Sequence, residues 1–353
     1  MNQSHFQKID SACPSGRKRH LFRVNDKLGR PLRDLRISVT DRCNFRCRYC
    51  MPIEVFGPGY KFLDREEILS FEEIVRVTRA AVERGACKVR LTGGEPLLRR
   101  GIEDLVGLLA AVDGVEDLAL TTNGVLLAHH AEGLKLAGLN RVTVSLDALD
   151  SEVFAQMNGV GAKVERVMAG VDAALTHGLP VKVNAVIQRG VNEQEILPLI
   201  RWGRDYGVTV RFIEYMDVGE TNGWKMDEVV SAKEIVELVA SEFAVEPVQA
   251  GYRGEVAGRW RFADGKGEFG VIASVTKPFC GDCTRMRLSA EGRIFTCLFT
   301  GEGRDLKKAL REGASQAEIE SLLTASWQSR TDRYSEERGK VAVKKAEMSY
   351  LGG

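Results

Sequence analysis

Six of the eight cysteines in this 353-residue chain fall into two short groups. Cys43, Cys47 and Cys50 form the first, spaced C-x3-C-x2-C. Three thiolates this close can wrap one soft metal centre. A closed structural zinc site takes four ligands, and no further Cys or His lies nearby. A 4Fe–4S cluster held by three cysteines leaves one iron open to a substrate, which is a catalytic geometry. An incomplete zinc knuckle with a distant ligand is the competing reading. Cys280, Cys283 and Cys297 form the second group, C-x2-C-x13-C, with a hairpin turn read at 289–293. Pairing the strands around that turn makes Cys283 and Cys297 diagonal neighbours. A second open-site cluster fits here, against a zinc ribbon short of one ligand. Arg285 and Arg287 share the strand face of Cys283. A guanidinium grips phosphate with paired donors, so both are candidate substrate clamps; the alternative is a pair of surface arginines. Cys13 and Cys87 stand apart and are read as structural residues without partners.

The elements that must position these groups follow from periodicity. Strand-like runs lie at 35–40, 87–92, 117–122, 140–146, 180–187 and 208–215. Helix-like stretches lie at 66–84, 102–112, 127–137, 164–177, 193–206 and 232–243. Repeated βα units predict an α/β fold with a parallel sheet. Six units suit either a partial barrel or a doubly wound sheet. Successive strand side chains alternate between faces. One face reads Leu35, Ile37, Val39, Val89, Leu91, Leu118, Leu120, Val142 and Val144; the other reads Arg36, Lys88, Arg90, Thr121, Thr143, Ser145, Lys182, Asn184 and Arg211. An ordinary eight-stranded barrel is filled by branched apolar side chains. A polar, cationic interior is unstable unless wet or filled by a ligand. A sheet with one solvated face is the alternative, but crossover helices normally cover both faces of a parallel sheet. The pattern therefore favours an open lumen that receives a large anion. After about residue 244 the alternation gives way to Gly-rich, short-strand text and then helical segments. The expected division is an N-terminal extension at 1–30, a partial (βα)6 TIM-like barrel at 31–244, and a smaller C-terminal cluster-binding domain at 245–353.

Composition narrows the class. Lys+Arg total 50 and Asp+Glu 49, a balance that argues against a dedicated nucleic-acid binder. No apolar run is long enough to span a bilayer, and the first residues are not an apolar secretory segment. The cytoplasm is the expected compartment; disulfides are rare there, so the cysteines read as ligands. The basic run at 17–20 reads as a solvated tail.

At these residues a resemblance enters. C-x3-C-x-Tyr-C after the first strand resembles the signature of the radical S-adenosylmethionine superfamily. There the open iron chelates S-adenosylmethionine, and one electron splits it to a 5′-deoxyadenosyl radical. The resemblance assigns the cofactor to Gly94 in Thr92-Gly93-Gly94-Glu95-Pro96, to Ser145, to Met216 and, beside the adenine, to Tyr49. The two-trio pattern, with the motifs at 35–43, 121–124, 144–147, 181–184, 211–216 and 279–283 and a Gly-Gly end, is similar to the GTP 3′,8-cyclase family of molybdenum cofactor synthesis. It covers nearly the whole chain after about residue 21.

That family resemblance implies two 4Fe–4S clusters, S-adenosylmethionine as cofactor and GTP as substrate. It implies GTP contacts at Arg36, Arg90, Thr121, Lys182, Arg285 and Arg287; Arg211 is added because it shares their face. The implied product is 3′,8-cyclo-7,8-dihydro-GTP, passed to a MoaC-type cyclic pyranopterin synthase. A flavodoxin- or ferredoxin-type electron donor and a homodimer are also expected, with no nucleic-acid or membrane partner. Competing readings are another two-cluster radical enzyme, such as one maturing a peptide, or a non-enzymatic zinc or iron–sulfur regulatory module. The first usually carries more C-terminal cysteines than three and does not require four lumen cations; near-neutral charge and six βα units argue against the second. Gly352 and Gly353 are expected to enter the active site. Deleting both should abolish cyclisation without unfolding the chain; wild-type activity in the truncated enzyme would remove the tail from the reaction.

Overall fold

The computed structural model describes residues 23–340 and 344–352. The basic run at 17–20, Cys13, Gly353 and most of the expected N-terminal extension lie outside them. Six strands run parallel in chain order: β1 (Asp34–Ser38), β2 (Lys88–Thr92), β3 (Asp117–Thr122), β4 (Arg141–Ser145), β5 (Val181–Ile187) and β6 (Thr209–Glu214). Six of the seven helices α1 (Phe71–Glu83), α2 (Ile102–Ala110), α3 (Leu127–Leu136), α4 (Ser151–Asn158), α5 (Val164–Thr176), α6 (Ile196–Tyr206) and α7 (Ala232–Ala240) lie in the connections between these strands; α7 follows β6.

The C-terminal segment then joins the same sheet at both ends. It contributes β7 (Val245–Val248), β8 (Gly258–Phe262), β9 (Glu268–Ile272), β10 (Arg285–Leu288), β11 (Arg293–Phe295) and β12 (Arg304–Asp305). β9 pairs parallel with β6, and β10 pairs parallel with β1. The outer strands are antiparallel: β8 and β7 beyond β9, β11 and β12 beyond β10. Eight contiguous parallel strands result, and among the described residues no pairing closes β9 onto β10. Helices α8 (Lys307–Arg311), α9 (Gln316–Gln328), α10 (Tyr334–Glu337) and α11 (Met348–Leu351) complete the chain.

The two strand faces separate as the alternation requires. Leu35, Ile37, Val89, Leu91, Leu118, Leu120, Val142, Val144 and Val183 are buried in one core with the inner faces of the helices, such as Ile74, Val77 and Ala81 of α1. That burial is the main stabilising term of the fold.

Two element boundaries differ from the sequence reading for local reasons. α1 begins at Phe71 rather than near 66, because Ser70 and Glu73 form a reciprocal capping box: the Glu73 N–H donates to Ser70 Oγ at 3.2 Å and the Ser70 N–H to Glu73 Oε2 at 2.7 Å. α4 was not anticipated. It is short, capped by Asp150 Oδ1 accepting from the N–H groups of Glu152 and Val153, and ended by Gly159 at φ +67°. It buttresses the first cysteine loop. The Arg46 N–H donates to Asn158 O at 2.8 Å, and Phe154 meets Phe45 edge-on at 6.1 Å.

Cys87 corrects another expectation. It is disulfide-bonded rather than without a partner; the compartment argument that discounted disulfides did not apply at this position. No described helix is long and apolar enough to cross a membrane.

Gly159 tests the α4 support. It occupies the left-handed region, and a Cβ there would lie 2.2 Å from Arg46 O. Gly159→Ala should destabilise the chain by about 1–3 kcal/mol. A clear drop in melting temperature is expected; an unchanged melt removes α4 from the support of the cysteine loop.

Candidate active site

The first trio lies on the loop after β1, at the C-terminal end of the parallel strands. Arg46 organises the loop from inside. Its guanidinium donates to Cys43 O, Phe45 O and Phe56 O at 2.7–2.8 Å. Cys47 O accepts from the N–H groups of Cys50 and Met51. Cys43 Sγ accepts from the Phe45 N–H at 3.4 Å, and Asn123, after β3, donates its amide to Asn44 Oδ1 at 2.7 Å. All three cysteines are free thiols. Burial pushes Cys43 up to about 12; burial, then Asp147, Cys50 and Cys43, raise Cys47, and burial, then Cys43, Glu347 and Asp147, raise Cys50. Such thiols give up protons only to a compensating positive charge, which a bound metal centre supplies. Among the described residues no three Cys, His, Asp or Glu side chains converge tightly enough to hold a single ion. A four-iron cube is wider than an ion and takes one sulfur per corner iron. Three soft thiolates with no fourth Cys or His nearby in the sequence suit a cluster with one open iron, whereas closed zinc takes four ligands.

The second trio flanks β10 and β11. Their register pairs Arg287 with Phe295 and Leu288 with Ile294. Extending it sets Cys297 opposite Arg285, diagonal to Cys283, as the hairpin reading predicts. Because β10 is parallel to β1, with Arg285 beside Asp34, this trio lies at the opposite end of the strands from the first. At Cys283 burial opposes ionisation, but the charges of Arg285 and Arg330 prevail and bring the thiol down to about 6. Arg285 Nη2 donates to its sulfur at 3.4 Å. Burial pushes Cys297 up to about 11.

Between the trios lies a cavity with about 1590 Å³ of empty space, its open mouth included; Tyr49 reaches its wall, but Cys43, Cys47 and Cys50 do not. Residues of all eight parallel strands line it, so the sheet curls around it. Arg36, Arg90, Thr121, Arg211, Arg285, Arg287, Tyr49, Met216, Cys280, Cys283 and Cys297 all reach its wall. Burial, then Arg287 and Arg285, lower Arg36 well below its ordinary value. Burial, then Arg141, Arg36 and Arg211, do the same to Arg90. Burial and Arg285 bring Arg287 down to about 10. A guanidinium does not shed its proton in a protein, so the stress calls for an anion. Asn184 Oδ1, buried in the same wall, has no hydrogen-bond partner among the described residues, and a ligand donor would satisfy it.

Other expected site residues sit differently. Lys182 shares the lumen face with Asn184, yet it is buried and does not line the cavity. Gly94 and Ser145 also lie outside the lining. At Gly94 the close backbone approach is made by the chain itself: a Cβ would stand 2.2 Å from Arg42 O. Gly352 is buried against Thr92, and its carbonyl accepts from Arg287 Nη1.

The lining adds groups the sequence reading did not single out as a site. Lys88 and Arg141 open β2 and β4 and share Asp117, which Arg141 grips with two bonds of 2.9 and 2.7 Å. Lys88 Nζ stands 4.0 Å from the centre of the Tyr252 ring, a cation–π contact. Period-two alternation put Lys88 on the lumen face and could have found Arg141; nothing periodic marks Tyr252.

Relatives carry the same architecture. Residues 37–203 match the model of the radical SAM superfamily, and residues 208–336 that of Molybdenum Cofactor Synthesis C. SuiB of Streptococcus suis, solved bound to S-adenosylmethionine, shares the fold with a TM-score of 0.60 over 84% of this chain and 69% of that one, at 16% identity. The curled parallel sheet with a cysteine trio after its first strand is thus a radical S-adenosylmethionine fold. GTP 3′,8-cyclase of Acidothermus cellulolyticus is 51% identical over 358 residues, spanning 94% of this chain and 99% of that protein. The Staphylococcus haemolyticus enzyme of the same name is 48% identical over 336 residues, with the same coverage. The chain belongs to the GTP 3′,8-cyclase family.

The crowded cations give a stability test. Arg36→Met removes a charge that burial and two neighbouring guanidiniums disfavour, so the ligand-free variant should melt at a higher temperature than wild type. Inorganic triphosphate should stabilise the wild-type chain by about 2.7 kcal/mol at a hundredfold excess over its Kd, and the variant less. A destabilised variant with an undiminished triphosphate shift contradicts the charge-crowding account.

Proposed function

We propose that this chain converts GTP to 3′,8-cyclo-7,8-dihydro-GTP, the first step of molybdenum cofactor biosynthesis. The observation that carries the reading is the cationic cavity running between two cysteine trios at opposite ends of one parallel sheet. Family membership supports the same reaction. Cys43, Cys47 and Cys50 would hold one 4Fe–4S cluster, and Cys280, Cys283 and Cys297 a second. Tyr49, Gly94, Ser145 and Met216 are the proposed S-adenosylmethionine contacts. When bound, the first cluster and this cofactor would supply a radical that takes the ribose 3′ hydrogen; closing the sugar carbon onto guanine C8 would then require one further electron, from the electron donor, and a proton at the purine to give the dihydro product.

The chain's own residues hold and orient the nucleotide. Arg36, Arg90 and Arg211 balance the triphosphate, with Lys182 adding its charge from behind the cavity wall, Thr121 offers a hydroxyl, and Arg285 and Arg287 bring the purine end to the second trio. Arg90 is already aimed: its Nη1 donates to Thr121 Oγ1 at 2.9 Å and Thr143 Oγ1 at 3.1 Å. Such fixed donors direct a reactive radical to one hydrogen rather than to the nearest available one. Gly352 covers Arg287 and excludes water from it. A flavodoxin- or ferredoxin-type protein supplies the electron, a MoaC-type synthase consumes the product, and the enzyme works in the cytoplasm as a homodimer.

Anaerobic reconstitution with iron and sulfide, followed by reductant, S-adenosylmethionine and GTP, tests this directly. Two clusters per chain and GTP-dependent 5′-deoxyadenosine are expected. Cys283→Ala should retain cofactor cleavage but lose cyclised product. A colourless zinc protein, or normal cyclisation by the variant, overturns the assignment.

A further inference from the structure

The loop after β6 carries Met216 into the cavity wall, and the next residue faces the other way. Asp217 is 8% exposed and gathers three donors from the C-terminal segment. Arg338 Nε donates to its Oδ1 at 2.9 Å. Lys345 Nζ donates to its Oδ2 at 2.7 Å and to its backbone carbonyl at 2.8 Å. The Tyr334 hydroxyl donates to Oδ2 as well. Burial opposes ionisation, but these partners hold the carboxyl below its usual range.

Glu347 continues the clasp. It accepts from the Glu220 N–H at 3.0 Å and from Thr221 Oγ1 at 2.9 Å, and it fills the space where a Cβ on Gly219 would stand. Beyond it Met348 lines the cavity, Tyr350 donates its hydroxyl to Glu291 on the β10–β11 turn, and Gly352 meets Arg287. The described parts of this strap, 334–340 and 344–352, thus cross from the β6 side of the open sheet to the β10 side. Little apolar burial holds it: Leu351 is its one buried apolar side chain among the described residues. The hold is polar, and it converges on one carboxylate.

We propose that Asp217 is a positioning residue that ties the C-terminal strap to the Met216 loop and thereby seats Gly352 on Arg287 while the nucleotide reacts. The inference deepens the GTP-cyclase reading and rests on it for its catalytic half. Asp217 touches no substrate; it acts through Lys345, Arg338 and Tyr334. Loss of the clasp leaves cofactor and GTP sites in place but lets the cover over Arg287 wander, so radical formation and ring closure come apart.

The test uses the full reconstituted chain and the variants Asp217→Asn, Asp217→Glu, Lys345→Met and the Asp217→Asn/Lys345→Met double. Lys345→Met sits on the strap and leaves the Met216 loop intact. Hydrogen exchange of the 344–352 amides should quicken on the order of tenfold in Asp217→Asn and in Lys345→Met, with little further gain in the double, as for two ends of one interaction. In Lys345→Met the cyclised product formed per S-adenosylmethionine cleaved should fall on the order of tenfold, with KM for S-adenosylmethionine within about twofold of wild type because no cofactor contact is lost. Asp217→Glu should restore part of both readouts. Unchanged exchange overturns the clasp. A loosened strap with an undiminished product ratio overturns the positioning role. Should the wild-type chain make no cyclised nucleotide, the functional reading fails while the exchange result still decides the clasp.

Discussion

Like charge confined in a low-dielectric lumen is the constraint on which this molecule turns. Arg36, Arg90, Arg141, Arg211, Arg285 and Arg287 face one another, outnumbering the acidic groups of the cavity wall, Asp34, Glu214 and Asp332, with Asp117 behind it. Without an anion the arrangement is held only because the apolar face of the same strands is buried against the helices. The two faces of each strand therefore oppose one another energetically: one stabilises the fold, and the other stores repulsion that a polyphosphate relieves. Buried charge of this kind is costly when unpaired, and it is tolerated where a ligand repays it at the moment of binding.

The same strands give the cavity a direction. One thiol trio follows β1 and the other precedes β10, and parallel pairing of those strands sends the trios to opposite ends. Their surroundings differ in sign. The first trio is hemmed in by burial and by Glu95 and Asp147, which discourage thiolate formation. Cys283 of the second faces Arg285 and Arg330, which encourage it. A nucleotide lying along the axis meets a wall in which cations outnumber carboxylates, with its two ends in unlike chemical settings.

Much of this was legible in the sequence because it is local or periodic. Alternation alone placed Arg36 and Arg90 on the lumen side and Leu35 and Val89 on the core side. The Ser289–Arg293 turn set the diagonal of Cys283 and Cys297. What escaped was either weakly periodic or far apart in the chain. α4 is short, so its amphipathic signal is slight. β9 and β10 join β6 and β1 through pairings with no sequence mark, so the C-terminal segment was read as a separate domain rather than as sheet edges. Lys182 obeys the alternation yet lies outside the cavity wall, since the period assigns a face and not a depth. Asp217 and Arg330 gain their roles from partners more than forty residues away.

The placement of β10 shapes how the molecule is made. A strand begun at residue 285 must lie alongside one begun at residue 34, and Gly352 must reach Thr92. Contacts so distant in sequence are formed late and slowly. On the ribosome, the β1–β6 arch can collapse around its helices while the 139 residues after Glu214 are still to be synthesised. During that interval the pit in the half-built arch stands open on the side that β10 and the tail later cover. The docking of β10 beside β1, followed by the seating of Gly352 on Arg287, is then the step that narrows this side of the arch.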